Sequence, residues 1–219
     1  MKNNLFPEGE ESQKGYLSVF VFAVTMPYIL FMTLNPAPES IKIVTSASYL
    51  VNFFVVSVSY LLFFRKRNGM KSGFFSLKLL AVLFILICLT QFGIPQLFKP
   101  ESQEQWIRSQ VSTWNLSTYI NALLIALIVP VYEEIVFRGC LMNVSLHWSN
   151  NNFILSTLIV SILFSAVHMQ YHNYASFIIL FIVSCILTYS RFVTGGILTS
   201  ILLHILMNVS IYTLIIFES

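Results

Sequence analysis

The sequence predicts an all-α protein, a polytopic bundle of about seven membrane-spanning helices. Three observations predict it. Of its 219 residues, 57% are hydrophobic and only 10% charged, far from a soluble composition. Apolar stretches of spanning length recur along the chain. The basic residues cluster in one short loop, the pattern of a topology signal.

Seven spans are expected, at 16–34, 43–64, 74–98, 116–138, 153–168, 174–189 and 197–217. The first does not read as a cleaved signal peptide: Glu8, Glu10 and Glu11 flank it beside Lys14, and no A-x-A site follows. The second leads into Arg65, Lys66, Arg67 and Lys71, and the third carries Lys78 and Pro95. The fourth contains Glu133, Glu134 and Arg138. Ser149-Asn150-Asn151-Asn152 reads as the turn into the fifth. The fifth and sixth are short, and Gly196 opens the seventh. Cys88, Cys140 and Cys185 lie in or beside apolar segments, are odd in number and follow no metal motif. They read as small core residues.

By the positive-inside rule the 65–71 loop is cytoplasmic. The N-terminus is then inside, and the loop at 35–40 and the polar segment 100–115 are outside. Arg191 falls on the cytoplasmic side, and the chain ends outside. The net charge is only +3, but the four basic residues crowded in this loop orient the chain in a lipid bilayer and argue against a nucleic-acid partner.

Glu133 and Glu134 are the only acidic residues between Glu104 and Glu218. An ionisable side chain at bilayer depth costs a few kcal/mol or more, so it marks a functional site by default. Arg138 stands at i+4 from Glu134 and pairs with it, leaving Glu133, about 100° round the helix, for other work. Taking 149–152 as an antiparallel turn, Glu133 and His168 stand equally far from its centre, each about 26 Å away at 1.5 Å per residue. They therefore lie at one depth. His204 and Asn208, also i, i+4, share a face of the last span, and Phe164 can pack over His168. His172 reads as a wet loop residue and His147, beside Trp148, as interfacial.

A carboxylate and an imidazole that converge can activate water, and a second imidazole with an amide can stabilise an oxyanion. The same groups Glu133, His168 and His204 could instead ligate a divalent metal such as Zn2+. The residues do not choose between the two. The chain has no aspartate, no G-x-S-G and no H-E-x-x-H, which excludes an aspartyl dyad and argues against the serine and site-2-type zinc mechanisms.

Three motifs stand in order: Glu133-Glu134-Ile-Val-Phe-Arg138, Phe164-Ser-Ala-Val-His168 and His204-Ile-Leu-Met-Asn208. Together they resemble the E-E-x-x-x-R, F-x-x-x-H and H-x-x-x-N motifs of the CAAX-protease and bacteriocin-processing (Abi, type II CAAX prenyl endopeptidase) family. The resemblance covers about 116–210. It implies a core at 116–217, preceded by spans one to three and their loops at 1–115, in one integrated membrane domain. It implies that Glu133 and His168 activate the water, that Glu134 and Arg138 shape the site, and that His204 and Asn208 hold the oxyanion. It further implies a membrane-associated peptide or protein substrate cut near the cytoplasmic face, and for bacterial relatives a link to bacteriocin maturation or self-immunity. The chain departs from the pattern at Ser184 and Thr188, where relatives often carry glycine. The Lys, Asn, Ile and Phe bias suggests a bacterial plasma membrane. Two rival functions stand beside the endopeptidase: a non-catalytic immunity or scaffold protein, and a proton-coupled transporter.

Overall fold

The computed structural model describes residues 10–98 and 115–218. Those residues form six helices long and apolar enough to cross a membrane and a shorter apolar seventh. They are α1 (Glu10–Leu34), α2 (Ile41–Phe64), α3 (Leu77–Phe98), α4 (Leu116–Trp148), α5 (Phe153–Ala166), α6 (Tyr174–Thr194) and α7 (Leu198–Glu218). No strand occurs among the described residues. The expected external segment at 100–115 lies almost wholly outside them.

Local sequence sets the boundaries. Glu10 and Glu11 occupy the first turn of α1, where carboxylates complement the helix dipole. Asn115 caps α4 by accepting the Thr118 N–H, and Asn152 caps α5 through the Leu155 N–H. Asn150 and Asn151 take positive φ, as the tight turn between α4 and α5 requires. Gly195 ends α6 in the left-handed conformation at φ 71°.

α4 is the central helix. In its most apolar window 56% of residues are buried, against 6% for α1 and 11% for α3. α1 and α2 pack on α4, while α3 packs on α6 and α7, so both halves of the chain share one bundle. The large apolar side chains left outside, among them Met32, Phe54, Leu62 and Ile162, form the lipid-facing belt.

The first helix starts at Glu10 instead of 16 and the sixth runs on to Thr194 instead of 189, and two further boundaries differ from the expected ones for a physical reason. The fourth span continues past Arg138 to Trp148, because Arg138 is wholly buried and paired instead of sitting in headgroup water. The fifth helix stops at Ala166, so Val167 and His168 are not helical and the chain runs irregularly to Asn173. At 1.5 Å per residue α5 rises about 21 Å and α6 about 31 Å.

The basic loop is built into the bundle. Phe74 N–H donates to Thr194 O, while Ile197 N–H and Leu198 N–H donate to Lys71 O and Ser72 O. Gly196 permits this approach: a Cβ there would lie 2.2 Å from Lys71 O and 2.3 Å from Gly73 N. The buried Arg191 donates to Gly69 O (3.3 Å) and to Asn143 Oδ1 (2.6 Å), and Asn143 donates to Asn68 O. Met70 is fully buried beneath this clasp. The basic end of the bundle is thereby closed by protein.

Candidate active site

α4 carries the acidic pair through two stretches of π-helix, Leu124–Ile128 and Ile135–Leu141. Such bulges recur at functional sites because they rotate the side chains that follow and free a backbone carbonyl. The cause of the first is legible. Val129 N–H bonds to Leu124 O in π register, so the next donor would be the N–H of residue 130, which is Pro130 and has none. Ile125 O is left over, and Asn208 of α7 satisfies it with its side-chain amide at 2.9 Å.

Below this point the two glutamates separate into different environments. Glu134 is fully buried. Its Oε1 lies 3.0 Å from Arg138 Nη1 and 2.8 Å from His204 Nδ1. The Arg138 guanidinium is itself fully buried, donates to Ser184 Oγ of α6 at 3.0 Å, and sits 4.5 Å above the centre of the Phe164 ring. Desolvating two charges is costly, and this geometry compensates it with an ion pair, a hydroxyl acceptor and a cation–π contact.

Glu133 instead keeps 17% of its side-chain surface and lines a cavity of about 650 Å3. His168, His204 and Asn208 line the same cavity. Its walls are otherwise mostly apolar and aromatic, with Tyr28, Tyr49, Phe92 and Tyr132 prominent. The Glu133 carboxylate stands 3.8 Å from His204 Nε2, beyond hydrogen-bond length.

Each histidine is oriented by one ring nitrogen. His168 Nδ1 lies 2.6 Å from Phe164 O. A carbonyl can only accept, so Nδ1 carries the proton and a neutral ring presents a bare Nε2. Phe164 packs its ring 4.7 Å from that of His168 and 6.0 Å from that of His204. Phe137 completes the stack edge-on at 5.0 Å. His204 Nδ1 faces the Glu134 carboxylate, which turns Nε2 toward Glu133.

All six residues singled out by sequence thus gather on α4, α7 and the segment after α5. Asn208 differs from expectation in one respect: its amide nitrogen donates to Ile125 O, so an oxyanion would have to share it. Among the described residues no three His, Cys, Asp or Glu side chains converge as a metal-binding group. The Glu134 contact at Nδ1 leaves His204 Nε2 facing Glu133 on the wall of the cavity that His168 also lines.

Sequence reasoning overlooked Ser184, buried and bonded to Arg138. It had noted the position only as a departure from glycine. It also overlooked Asn52, buried in α2 beside the cavity and donating to Ala23 O. A polar side chain in an apolar span was the available signal.

Residues 115–210 match the family described as Rce1-like: Type II CAAX prenyl endopeptidase Rce1-like. Over 85 residues the chain is 38% identical to an "Uncharacterized 24.3 kDa protein" of Escherichia coli. That stretch covers 39% of each chain, so the likeness spans well under half of this relative. No solved structure matches the chain significantly.

Proposed function

We propose that this integral membrane protein, whose residues 115–210 match the Rce1-like family of type II CAAX prenyl endopeptidases, is an intramembrane endopeptidase. The observation that carries the reading is the division of labour between adjacent carboxylates: Glu134 is locked by Arg138 and His204, while Glu133 faces a cavity shared with His168.

In this reading Glu133 takes a proton from a water molecule held against the bare Nε2 of His168. The water oxygen adds to the scissile carbonyl. His204, between two carboxylates, donates from Nε2 to the developing oxyanion when it is an imidazolium, and the Asn208 amide lies on the same wall. Collapse breaks the C–N bond, and Glu133 returns its proton to the leaving amine. Arg138 acts through Glu134: the pair fixes the His204 ring, and the stacked Phe164 fixes both imidazoles.

The mostly apolar cavity suits a peptide segment presented by the membrane. The composition and the family together support a role in a bacterial plasma membrane, in bacteriocin maturation or self-immunity. No step is assigned to a metal.

The test is hydrolysis by purified, detergent-solubilised protein. Wild type and Glu133→Ala are incubated with prenylated and unmodified membrane-anchored peptides, and products are read by mass spectrometry with and without a chelator. Cleavage by wild type alone supports the reading, and the chelator arm decides whether a metal takes part. Absence of cleavage, with both proteins folded and equally protective in cells, would turn it toward a non-catalytic immunity protein.

A further inference from the structure

Asn52 is buried midway along α2, an apolar span, and lines the cavity that holds Glu133. A polar side chain at that depth needs a reason. Its nitrogen end has one. Pro27 lies inside α1 and has no N–H to give to the carbonyl four residues earlier, Ala23 O. Asn52 Nδ2 donates to that carbonyl at 3.0 Å. A carbonyl only accepts, so the contact assigns the nitrogen to α1 and leaves the oxygen over.

The oxygen end has no such explanation. Among the described residues nothing donates to Asn52 Oδ1, although it is buried from bulk water. Tyr49, three positions earlier on the same face of α2, lines the cavity as well. So does Tyr132 of α4, whose hydroxyl faces the Asn52 amide. Tyr132 directly precedes Glu133 in the chain. The orphaned acceptor thus stands in the wall beside the neighbour of the proposed base.

A peptide hydrolysed here has a use for that acceptor. Water reaches a scissile carbonyl only when the backbone around it has left its helix. Each N–H so released inside a mostly apolar cavity needs a new acceptor, because an unpaired one is costly at membrane depth. The catalytic groups do not supply it: Glu133 is engaged with the water, and His204 and Asn208 act as donors.

We infer that Asn52 Oδ1 accepts a backbone N–H of the substrate close to the scissile bond and so aligns an extended polypeptide segment against Glu133. This rests on the endopeptidase reading and names the form of substrate the site takes: a strand-like segment, not an intact transmembrane helix. The contact recognises backbone, so it makes no demand on the side chain at that position. α2 lies outside the 115–210 stretch that matches the family, so the contact comes from the part of the chain the three motifs do not cover.

The test measures binding in detergent to full-length protein carrying Glu133→Gln, which prevents turnover, and Pro27→Ala. The second change supplies the N–H that Ala23 O lacks, so adding Asn52→Leu removes the acceptor without stranding the α1 carbonyl. Equal unfolding temperatures with and without Asn52→Leu check this. The probes are dye-labelled, membrane-anchored peptides from the hydrolysis set, and counterparts in which one backbone amide at a time is replaced by an ester. With Asn52 present, one ester position should weaken binding about 3–10-fold, the value of one hydrogen bond. With Asn52→Leu the all-amide peptide should bind weaker by the same factor, and the penalty at that one position should vanish. Ester penalties that are the same in both proteins would overturn the inference, as would binding that no ester weakens, or no binding of any peptide. Cleavage by the wild-type protein decides the endopeptidase reading separately, so the two can fail independently.

Discussion

Glu134 and His204 lie 70 positions apart in sequence, yet the carboxylate of one holds Nδ1 of the other at 2.8 Å. With Arg138 on the same oxygen at 3.0 Å, the contact ties α4 to α7 inside the bundle. Arg138→Ala leaves a fully buried carboxylate short of its charge partner, which costs about 3–5 kcal/mol. A lower unfolding temperature in detergent is the expected result. Arg138→Lys is expected to recover little, because one ammonium cannot reproduce the planar fork that reaches Glu134, Ser184 and the face of Phe164 together.

Glu133 should behave in the opposite way. It retains access to the cavity and is not part of the Arg138 pair. Glu133→Gln is expected to unfold at the wild-type temperature and yet lose about 10²–10⁴-fold in turnover, the range for a missing general base. Parallel thermal unfolding and peptide hydrolysis measure both. A variant that unfolds early would assign Glu133 to structure.

Much of this arrangement is legible in the sequence, and the legible part has a common cause. A charge in an apolar run must be compensated, so Glu134 with Arg138 at i+4 announces its own pair. The turn at 149–152 sets α4 and α5 antiparallel, and counting from it brings Glu133 and His168 to one cavity. Illegible were the features that depend on partners distant in sequence. Nothing local shows that Arg138 can be buried, since Ser184 and Phe164 supply its other contacts. The fourth span was therefore ended at Arg138, ten residues short of Trp148. The end of α5 at Ala166 was also hidden, because Val167 continues the apolar run and His168 keeps the i, i+4 spacing from Phe164 that a continuing helix would have. The clasp over the basic end depends on Gly196, whose purpose appears only when Lys71 and Gly73 lie against it.

Three glycines should respond to alanine in a set order. At Gly196 the new Cβ would meet the backbone of residues 71–73, 2.2 Å from Lys71 O and 2.3 Å from Gly73 N, and neither can yield without opening the clasp. At Gly139 it would meet the Met70 sulfur at 2.5 Å, a flexible side chain, so overpacking costs about 1–3 kcal/mol. At Gly195 nothing lies nearby, and the cost is the left-handed conformation alone, about 1–2 kcal/mol. Yields of folded protein and unfolding temperatures for the three variants should rank Gly196→Ala lowest. Equal losses at Gly196 and Gly195 would show that the clasp gives way freely.

Asn208 offers a way to separate structure from chemistry at one residue. Its amide covers Ile125 O, a carbonyl orphaned because Pro130 stands where the π register needs an N–H. Asn208→Ala should cost about 1–3 kcal/mol by leaving that acceptor buried and unpaired. Pro130→Ala restores a backbone donor at the position that lacks one. In a double-mutant cycle the two changes should couple, with the double variant more stable than Asn208→Ala alone. If the amide also steadies the oxyanion, the double variant regains its unfolding temperature while peptide turnover stays low. Recovery of both together would confine Asn208 to holding α7 against the bulge of α4.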